Sequence, residues 1–521
     1  MNAAQWSDKF GQRITRTDEA TIHRYSENVS GLRRRIAAVL YPESITDVQG
    51  IVRTANEFRI PLYPISTGCN WGLGSKLPVR DGAAIVDLSR MDRIHEVNER
   101  HGYAVVEPGV TQRKLYEQLK NTHSAYFLSV TGSGADTSVL GNALDRGIAH
   151  HGPRAEAISG LEVVLGNGEL IRTGSGHFSH SKATYLYRHG IGPSLDGLFC
   201  QSNLGIVTKA AIGLEPHKAF HAVLGCTIDT DGKLPALVDS IAALIRQGIL
   251  EPSVHFSNYQ RTRSVVGGIL GKRYADQYVK QILDGELRGA WSLSCPLSGT
   301  PAQVKLAYRE AREVLRRICA VNLTTDRTLR AGKACCRLLS FLPRFRRRSC
   351  FLDAIEPSYL HSKGVPSDAA LASIAWPLGD RSYAPGTDLD ATNTGTFCVL
   401  PVVPLEGEAV REVMEITDQV LAGKHGYVPY VTLNSASRHS LEAVINLLFR
   451  RNDPKEVDRA HRCVDELVRI LMDKGHILYR AGIQSMGHVV DSASPYWQLM
   501  ARLKDVFDPN HIIAPGRYNL V

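Results

Sequence analysis

The 521-residue sequence contains no apolar run near the ~20 residues that a membrane-spanning helix needs, which excludes a transmembrane helix. Internal repeats and low-complexity segments are also missing. Because its 45 glycines and 24 prolines are close to average usage, the sequence is neither collagen-like nor low in complexity. The N-terminus carries acidic and polar residues where a signal peptide would place an apolar stretch. We therefore expect a cytoplasmic protein that does not associate with membranes.

The ten cysteines show no CxxC spacing, and no export signal accompanies them. We therefore predict neither a disulfide framework nor a metal site, and we expect most of the cysteines to be buried as small apolar side chains. The formal net charge of +9 could attract an acidic substrate or carrier protein. No recognised nucleic-acid-binding motif accompanies this charge, so nucleic acid is not an expected partner.

With 43% hydrophobic residues the chain can build large cores, and its length allows two large domains or several smaller ones. The first 215 residues alternate short strands and helices. Ser44 and Asp47 have the spacing of a helix N-terminus, and Asn167-Gly168 between two apolar runs predicts a hairpin with a type I′ turn. We predict buried strands in three short runs, at 60–65, 83–88 and 103–106.

The pattern of predicted secondary structure changes between about 217 and 477. Longer amphipathic helices are predicted at 234–247 and 302–318, with strands around 221–227 and 396–402. The last 40 residues return to a pattern of short strands and loops. This order predicts a chain that leaves one domain, builds a second α+β domain and then returns to the first.

The segment from Ser66 to Ser75 is the most informative local feature. It reads Ser-Thr-Gly-Cys-Asn-Trp-Gly-Leu-Gly-Ser and directly follows a predicted strand. Glycines permit positive φ, and a turn with several exposed backbone N–H groups can bind phosphate without a lysine. The spacing fits neither the P-loop nor the nicotinamide dinucleotide motif. An ordinary glycine-rich turn is the alternative.

Several further stretches occur in a fixed order along the chain. They are Pro64 to Ser75, Val106 to Thr111, Gly141 to Gly147, Gly160 to Gly174, Gln201 to Lys209, Phe507 to Asn510 and Ala514 to Arg517. In these stretches the sequence resembles the flavoprotein family of vanillyl-alcohol oxidase and the p-cresol methylhydroxylase flavin subunit. The resemblance covers nearly the whole chain and is weakest between about 320 and 400.

This resemblance implies an α+β fold with a two-part FAD-binding domain, residues 1–216 plus 478–521, around an inserted α+β cap domain, residues 217–477. It also implies FAD as the cofactor, with residues 66–70 at the pyrophosphate. The alternative for any one position is a loop residue needed only for the fold. The implied FAD-site residues are Pro64, Ser66, Thr67, Gly68, Cys69, Asn70, Leu73, Gly74, Ser75, Pro108, Gly109, Gly141, Asn142, Asp145, Gly205, Ile206, Val207 and Arg517.

In phenol-oxidising members of the family, two tyrosines and an arginine bind the substrate phenolate. Tyr479 and Arg480 match one tyrosine and the arginine, while the second tyrosine is replaced by Leu73. A glutamate of the cap is replaced by Tyr430. These departures argue against a simple 4-alkylphenol substrate.

An acidic residue that relatives keep near flavin N5 is also absent, and His150 and His151 stand close to its place. A histidine of near-neutral pKa can serve as a general base for a hydroxyl or amine proton. Structural histidines are the alternative.

The resemblance leaves the attachment of FAD open. Relatives tether FAD through a cap histidine or tyrosine, but Thr396 and Ile374 stand at those places and can form neither link. Cys69 lies at the position of a pyrophosphate-loop tether known in a related branch. Nearby N–H dipoles would lower its pKa and permit a cysteinyl link, although we favour non-covalent FAD.

Together these features predict an FAD-linked oxidase or dehydrogenase. It would pass a hydride from a C–H bond of an alcohol, amine or benzylic substrate to flavin N5, with O2 as electron acceptor and Arg480 balancing charge. The alternatives are a dehydrogenase with a cytochrome-type partner and a non-catalytic FAD protein that binds a carrier. Family precedent predicts a homodimer. The basic stretch at 327–348 is either a solvated loop or a docking site for an acidic carrier or redox protein.

Overall fold

The computed structural model describes residues 3–381, 383–384, 386–435 and 437–521, so residues 1–2 of the predicted first domain and 382, 385 and 436 of the predicted cap lie outside it. Its described residues form an α+β fold with sheets of four, five and eight strands. The four-stranded sheet has the order Thr15–Arg16, Ile36–Leu40, Ala83–Asp87, Leu62–Ile65. The five-stranded sheet has the order Leu170–Arg172, Ile158–Leu165, Gly205–Gly213, Tyr103–Val106, Ile94–Asn98.

The eight-stranded sheet, called the large sheet below, has the order Ala320–Thr325, Phe220–Ile228, Trp291–Gly299, His255–Asn258, Tyr430–Asn434, Ser440–Arg450, Thr394–Pro404, Leu478–Arg480. Two small antiparallel pairs join Tyr126–Phe127 to Glu215–Pro216 and Ile148–Ala149 to Gly152–Pro153. The α-helices are Ala3–Ile14, Glu19–Ser26, Ile45–Phe58, Gln112–Asn121, Val139–Leu144, Leu234–Arg246, Tyr259–Gly271, Asp276–Glu286, Pro301–Leu315, Asp326–Leu338, Pro343–His361, Ala369–Ala375, Gly407–Asp418, Pro454–Asp473, Met486–Val489 and Pro495–Phe507.

The helix Ile45–Phe58 and the strand Leu62–Ile65 position the glycine-rich turn. Ser44 caps the helix, because its Oγ accepts the N–H of Asp47 at 3.1 Å, as the capping-box spacing predicts. The helix ends at Arg59, which adopts a left-handed φ of 54°, and buries its apolar face on the four-stranded sheet. The chain then enters the strand and delivers residues 66–75 to the carboxyl edge of that sheet.

The large sheet has one apolar face and one polar face. Its apolar face packs on four helices, Leu234–Arg246, Pro301–Leu315, Gly407–Asp418 and Pro454–Asp473. Because side chains alternate along a strand, residues between the core positions point to the opposite face. There His255 Nδ1 lies 2.8 Å from Asn434 Oδ1, and the Cys398 thiol lies 3.1 Å from Asn446 Oδ1.

The polar face of the large sheet meets the glycine-rich turn directly. The N–H of Cys398 donates to the carbonyl of Gly72 at 3.3 Å. A Cβ on Gly72 would lie 2.7 Å from Cys398 Sγ, and its φ of 80° also favours glycine. The close approach of sheet and turn therefore requires glycine at this position.

Three expectations about local structure are wrong. Only Gly168 has positive φ in the 167–168 turn, so it is not type I′; Asn167 instead accepts the N–H of Glu169 through its side chain. The last 40 residues contain a 13-residue helix, Pro495–Phe507. The basic stretch at 327–348 is not a loop, because it lies in the helices Asp326–Leu338 and Pro343–His361.

The strand that begins at Leu478 is hydrogen-bonded to the edge of the large sheet, through Thr394–Pro404. The proposed domain division at 477/478 therefore remains a prediction. Across the described residues, no helix combines the length and apolarity that crossing a membrane requires.

A buried ion pair fixes the C-terminal segment. Lys504 Nζ lies 2.6 Å from Asp508 Oδ2, both side chains are fully buried, and Lys504 also donates to the carbonyls of Asn203 and Ile513. Asp508 Oδ2 accepts the N–H of Ile513 at 2.7 Å. These bonds join the last helix to the segment that runs beside Leu62–Ile65.

We expect Lys504→Met to lower the thermal unfolding midpoint markedly, because Asp508 would remain buried without its cation, a loss of about 3–5 kcal/mol. Replacing both partners by Lys504→Met with Asp508→Leu should recover part of this loss. The control is Arg502→Met at an exposed position of the same helix. Equal midpoints for Lys504→Met and Arg502→Met, measured by calorimetry, would contradict the role of the pair.

Candidate functional site

The glycine-rich turn presents a set of unpaired backbone donors. Gly68, Gly72 and Gly74 have positive φ values of 70°, 80° and 131°. Within the described residues, no hydrogen-bond acceptor serves the backbone N–H groups of Gly68, Cys69 or Asn70. Three consecutive free donors in a tight turn fit a diphosphate, because such a concave array of amides binds anions.

The helix Val139–Leu144 begins against this turn. Its cap residue, Ser138, donates its backbone N–H to Thr67 Oγ1 at 3.1 Å and its hydroxyl to the carbonyl of Pro108 at 2.6 Å. Gly141 packs so closely that a Cβ there would lie 2.1 Å from Ser66 Oγ. The structure therefore brings the predicted residues at 66–70, 108–109 and 141–142 together.

One buried polar atom beside this contact lacks a partner. Asn142 Oδ1 has no hydrogen bond from any described residue, although it is inaccessible to solvent. A buried carbonyl without a donor is costly, so such an atom indicates a missing ligand. Asn142 and the free amides of the turn together fit the polar groups of FAD. The individual roles of the residues at this site remain predictions.

Asp145 joins the turn to the C-terminal part of the chain. Its Oδ2 accepts from Arg480 at 2.6 Å and from Asn70 at 3.1 Å, and its Oδ1 accepts from Arg517 at 2.9 Å. Although burial opposes ionisation, the guanidiniums of Arg480 and Arg517 hold the pKa of Asp145 below its ordinary value. Sequence reasoning placed these residues near FAD but did not find that they form one ion-pair cluster.

Arg480 is therefore paired with a carboxylate that it shares with Arg517. Its Nη2 also donates to Asn70 Oδ1 at 2.9 Å. The neighbouring Tyr479 is half-buried, and desolvation raises the pKa of its phenol. Gln201 holds this strand by donating to the carbonyl of Tyr479 at 2.7 Å, a contact that no sequence motif indicated. Leu73 is buried beside them, and its carbonyl accepts the N–H of Ile483.

The predicted site residues Tyr430 and Gly205–Val207 contact other parts of the fold. Tyr430 lies at the start of a large-sheet strand opposite Asn446, and its charged neighbour is Arg263. Gly205–Val207 begins the central strand of the five-stranded sheet, where Ile206 and Val207 belong to apolar cores. Among the described residues, no hydrogen bond links Tyr430 or Gly205–Val207 to the glycine-rich turn.

The predicted histidines belong to a larger group, called here the histidine cluster. Its members come from four separate segments: His150, His151, His221, His255 and His361. The ring of His150 lies 5.5 Å from that of His151 and 5.8 Å from that of His361. Ser362 links two members, since its carbonyl lies 3.2 Å from His151 Nε2 and its hydroxyl 2.8 Å from His221 Nε2.

Four members of the histidine cluster, His150, His221, His255 and His361, have lowered pKa values that favour the neutral state. Burial, followed by repulsion from basic neighbours, lowers the pKa of His361 to about 4, and burial does the same for His221. The pKa of His150 also lies well below its ordinary value, again mainly through burial. His150 Nε2 is a buried atom with no described partner. Sequence reasoning missed His221, His255 and His361, which lie within the predicted cap, because no spacing relates them.

Cys69 differs from the sequence-based expectation. Burial raises the pKa of its thiol to about 12, and the thiol lies 3.4 Å from the carbonyl of Thr67. The expectation that nearby amides lower this pKa is wrong, because desolvation of the thiolate outweighs them. At neutral pH the Cys69 thiol is protonated and a poor nucleophile.

We expect Asp145→Asn to lower the unfolding midpoint strongly, because two buried guanidiniums would lose their shared anion, an effect of about 3–5 kcal/mol. The pKa of Asp145 is depressed in the fold, so its contribution is present above about pH 4 and is lost as the pH falls further. The difference in unfolding midpoint between wild type and Asp145→Asn should therefore become smaller as the pH falls below about 4. Asp196→Asn is the control, since Asp196 is fully buried but, among the described residues, its carboxylate accepts a hydrogen bond from Thr173 and forms no ion pair. An equal decrease of the unfolding midpoint in Asp145→Asn and Asp196→Asn would contradict the role of this ion-pair cluster.

Comparisons with known proteins agree with this geometry. Residues 36–174 match the model of an FAD binding domain, and residues 442–518 match the C-terminal domain of FAD linked oxidases. The fold is similar to a 4-ethylphenol oxidase from Gulosibacter chungangensis in its isoeugenol complex (TM-score 0.85, 27% identity, 99% of this chain and 96% of that one). It is also similar to p-cresol methylhydroxylase with bound substrate (TM-score 0.84, 25% identity, the same coverage).

Two relatives match over most of their length. The 1'-carboxy-chondrochloren decarboxylase of Chondromyces crocatus is 34% identical over 99% of this chain and 96% of its own. The flavoprotein subunit of the hydroxylating 4-cresol dehydrogenase of Pseudomonas putida is 28% identical over 92% of this chain and 87% of its own. The protein is thus an FAD-dependent enzyme, and it belongs to the p-cresol methylhydroxylase-type family of FAD-linked oxidoreductases.

Proposed function

We propose that this enzyme oxidises a carboxylated aromatic metabolite and releases its carboxyl group as CO2. The observation that carries the proposal is the electrostatic character of the histidine cluster. The strongest charged or titratable neighbours of His361 are His255, Arg154 and His151, which are all basic. Of these neighbours Arg154 carries the positive charge, and a buried cation suits an anionic substrate. The 34% identity to a protein named as a decarboxylase of a carboxy compound supports the same substrate class.

The reaction balances without a further reactant when it is written for 3-(4-hydroxyphenyl)propanoate. The benzylic C–H bond breaks and its electron pair leaves with the hydrogen as a hydride equivalent. The C–carboxyl bond also breaks and its electron pair forms the new C=C bond, so the products are 4-vinylphenol and CO2. FAD, when bound, supplies the two-electron acceptor.

His150 is proposed to accept the hydroxyl proton of the substrate as the hydride leaves and to return it to the same oxygen as CO2 leaves, so that the product is neutral 4-vinylphenol. Its Nε2 is buried without a described partner, so it is free to accept a proton. Its pKa lies well below the near-neutral value expected from sequence, which keeps the ring neutral near pH 7 but also makes it a weaker base. A neutral imidazole in this position can take up a proton while electron density leaves the ring. Arg480 stands on the other side of the polar face, where it interacts electrostatically with Cys398 and Tyr479. Alcohol and amine substrates are the alternative within the same site.

The electron acceptor and partners remain proposals. We propose O2 as the final acceptor, with a cytochrome-type partner as the alternative. The hairpin of helices Asp326–Leu338 and Pro343–His361 is the proposed docking site for an acidic carrier or redox protein. Its tip exposes 79% of Leu338 and 75% of Phe341, and exposed arginines surround them. A homodimer is also proposed.

We expect His150→Gln to slow anaerobic reduction of the bound flavin by 3-(4-hydroxyphenyl)propanoate by about 10²- to 10⁴-fold, because the proton acceptor is lost. Stopped-flow loss of flavin absorbance measures the rate, and trapped CO2 and 4-vinylphenol report the products. His177→Gln, at an exposed position, should behave as wild type. Flavin reduction by wild type without CO2 release would overturn the proposed decarboxylation. Rapid reoxidation in air would favour an oxidase, and slow reoxidation the cytochrome-linked alternative.

Acid precipitation should release FAD into the supernatant and leave a colourless pellet, because the protonated Cys69 thiol is a poor nucleophile. Cys69→Ser should give the same result. A yellow pellet from wild type, with the added mass on the peptide that contains Cys69, would contradict the non-covalent assignment.

A further inference from the structure

We propose that Arg154 forms a binding subsite for the carboxylate of the substrate. The inference rests on the proposed oxidation of a carboxylated substrate and names the residue that would recognise its charge. The argument combines the isolation of the Arg154 side chain, its location between the two parts of the fold, and the fixed orientation of its guanidinium.

Arg154 is a buried cation without a compensating anion. Its exposed fraction is 3%, and within the described residues no carboxylate forms an ion pair with it. Its Nε and Nη1 atoms are buried without any described hydrogen-bond partner. Burial lowers its pKa to about 9, with no opposing contribution from an acidic neighbour. Arg480 and Arg517, by contrast, share Asp145.

This isolation is physically expensive. Moving a charge from water into the interior costs several kcal/mol unless a counter-charge and hydrogen bonds replace the lost solvation. The three N–H hydrogens on Nε and Nη1 have no acceptor among the residues that the structure describes. An anionic group of a ligand would supply both the charge and the acceptors.

Arg154 also lies beside the histidine cluster. It directly follows the small hairpin that carries His150 and His151, and its N–H donates to the carbonyl of Gly147 at 3.0 Å. Ser129 connects the two, since its carbonyl accepts from Arg154 Nη2 and its hydroxyl accepts the N–H of His151 at 3.0 Å. Arg154 interacts electrostatically with His361, which lies in the predicted cap.

The guanidinium is held in one orientation. Gln112 accepts from Arg154 Nη2 at 2.9 Å through Oε1, and the same oxygen accepts the N–H of Thr131 at 2.8 Å. Gln112 in turn donates through Nε2 to the carbonyl of Gly134 at 2.8 Å. Because one nitrogen is anchored, the other two are presented without a large entropic cost on binding. This is an arrangement suited to recognition of a carboxylate.

The test compares an acid with its uncharged amide on the FAD-loaded enzyme. Binding of 3-(4-hydroxyphenyl)propanoate and 3-(4-hydroxyphenyl)propanamide is measured by calorimetric titration, and 4-ethylphenol serves as a probe that lacks the group. Wild type should bind the acid at least tenfold more tightly than the amide. Arg154→Met should weaken binding of the acid by about 10- to 100-fold. Its affinities for the amide and for 4-ethylphenol should stay within about threefold of the wild-type values. Arg154→Lys should retain part of the preference.

The unfolding midpoint separates this role from a structural one. Because Arg154→Met removes an uncompensated buried charge, the midpoint without ligand should stay unchanged or rise. The matched control is Arg451→Met, since Arg451 donates to the carbonyls of Asn28 and Thr392 and lies outside the histidine cluster. That variant should keep the full preference for the acid.

Several results would overturn the subsite. They are equal binding of acid and amide by wild type, no binding of the acid, an equal loss of both ligands in Arg154→Met, and loss of FAD from that variant. The last two would assign Arg154 to the fold or to the cofactor. If the acid binds selectively but never reduces the flavin, the proposed function fails while the subsite stands.

Discussion

The shared carboxylate of Asp145 is the interaction on which the candidate site depends. It compensates two buried guanidiniums and also bonds to Asn70, so one side chain joins the glycine-rich turn, the strand Leu478–Arg480 and the C-terminal segment. Asn70 of the turn precedes Arg480 of the strand by 410 residues. Because an uncompensated charge in this interior is costly, the cluster forms only when all three segments are in place.

The remaining buried charges can be understood from the same constraint. Burial, followed by repulsion from basic neighbours, keeps His150 and His361 of the histidine cluster neutral. Arg154 is the exception, since it keeps its charge without an anion beside it. Loss of CO2 from a bound acid would return Arg154 to this uncompensated state, so the product would be held less tightly than the substrate.

Local features of the fold could be predicted from sequence, because neighbours in the chain determine them. The glycine-rich turn and the Ser44 cap depend on dihedral preferences and on short spacings. The type I′ prediction at 167–168 failed because a side-chain bond of Asn167 and packing of Gly166 on Asp508 set this loop instead.

The candidate site was predicted only in part. Family resemblance gave His150 and Arg480, but His221, His255 and His361 join them through tertiary packing that no periodicity indicates. The pKa of Cys69 depends on how completely the fold buries it, and a sequence motif does not carry that quantity. The missing partner of Arg154 is likewise a property of its surroundings rather than of its own residue type.

The division of the histidine cluster between distant segments has a consequence for the engineering of hybrid enzymes. Two imidazoles come from the hairpin at 148–153, and three come from the segment between 221 and 361. A chimaera that exchanged only the latter segment with a phenol-oxidising relative would combine halves of two different polar linings. New selectivity in such grafts therefore requires the hairpin and the residues opposite it to be transplanted as a single unit.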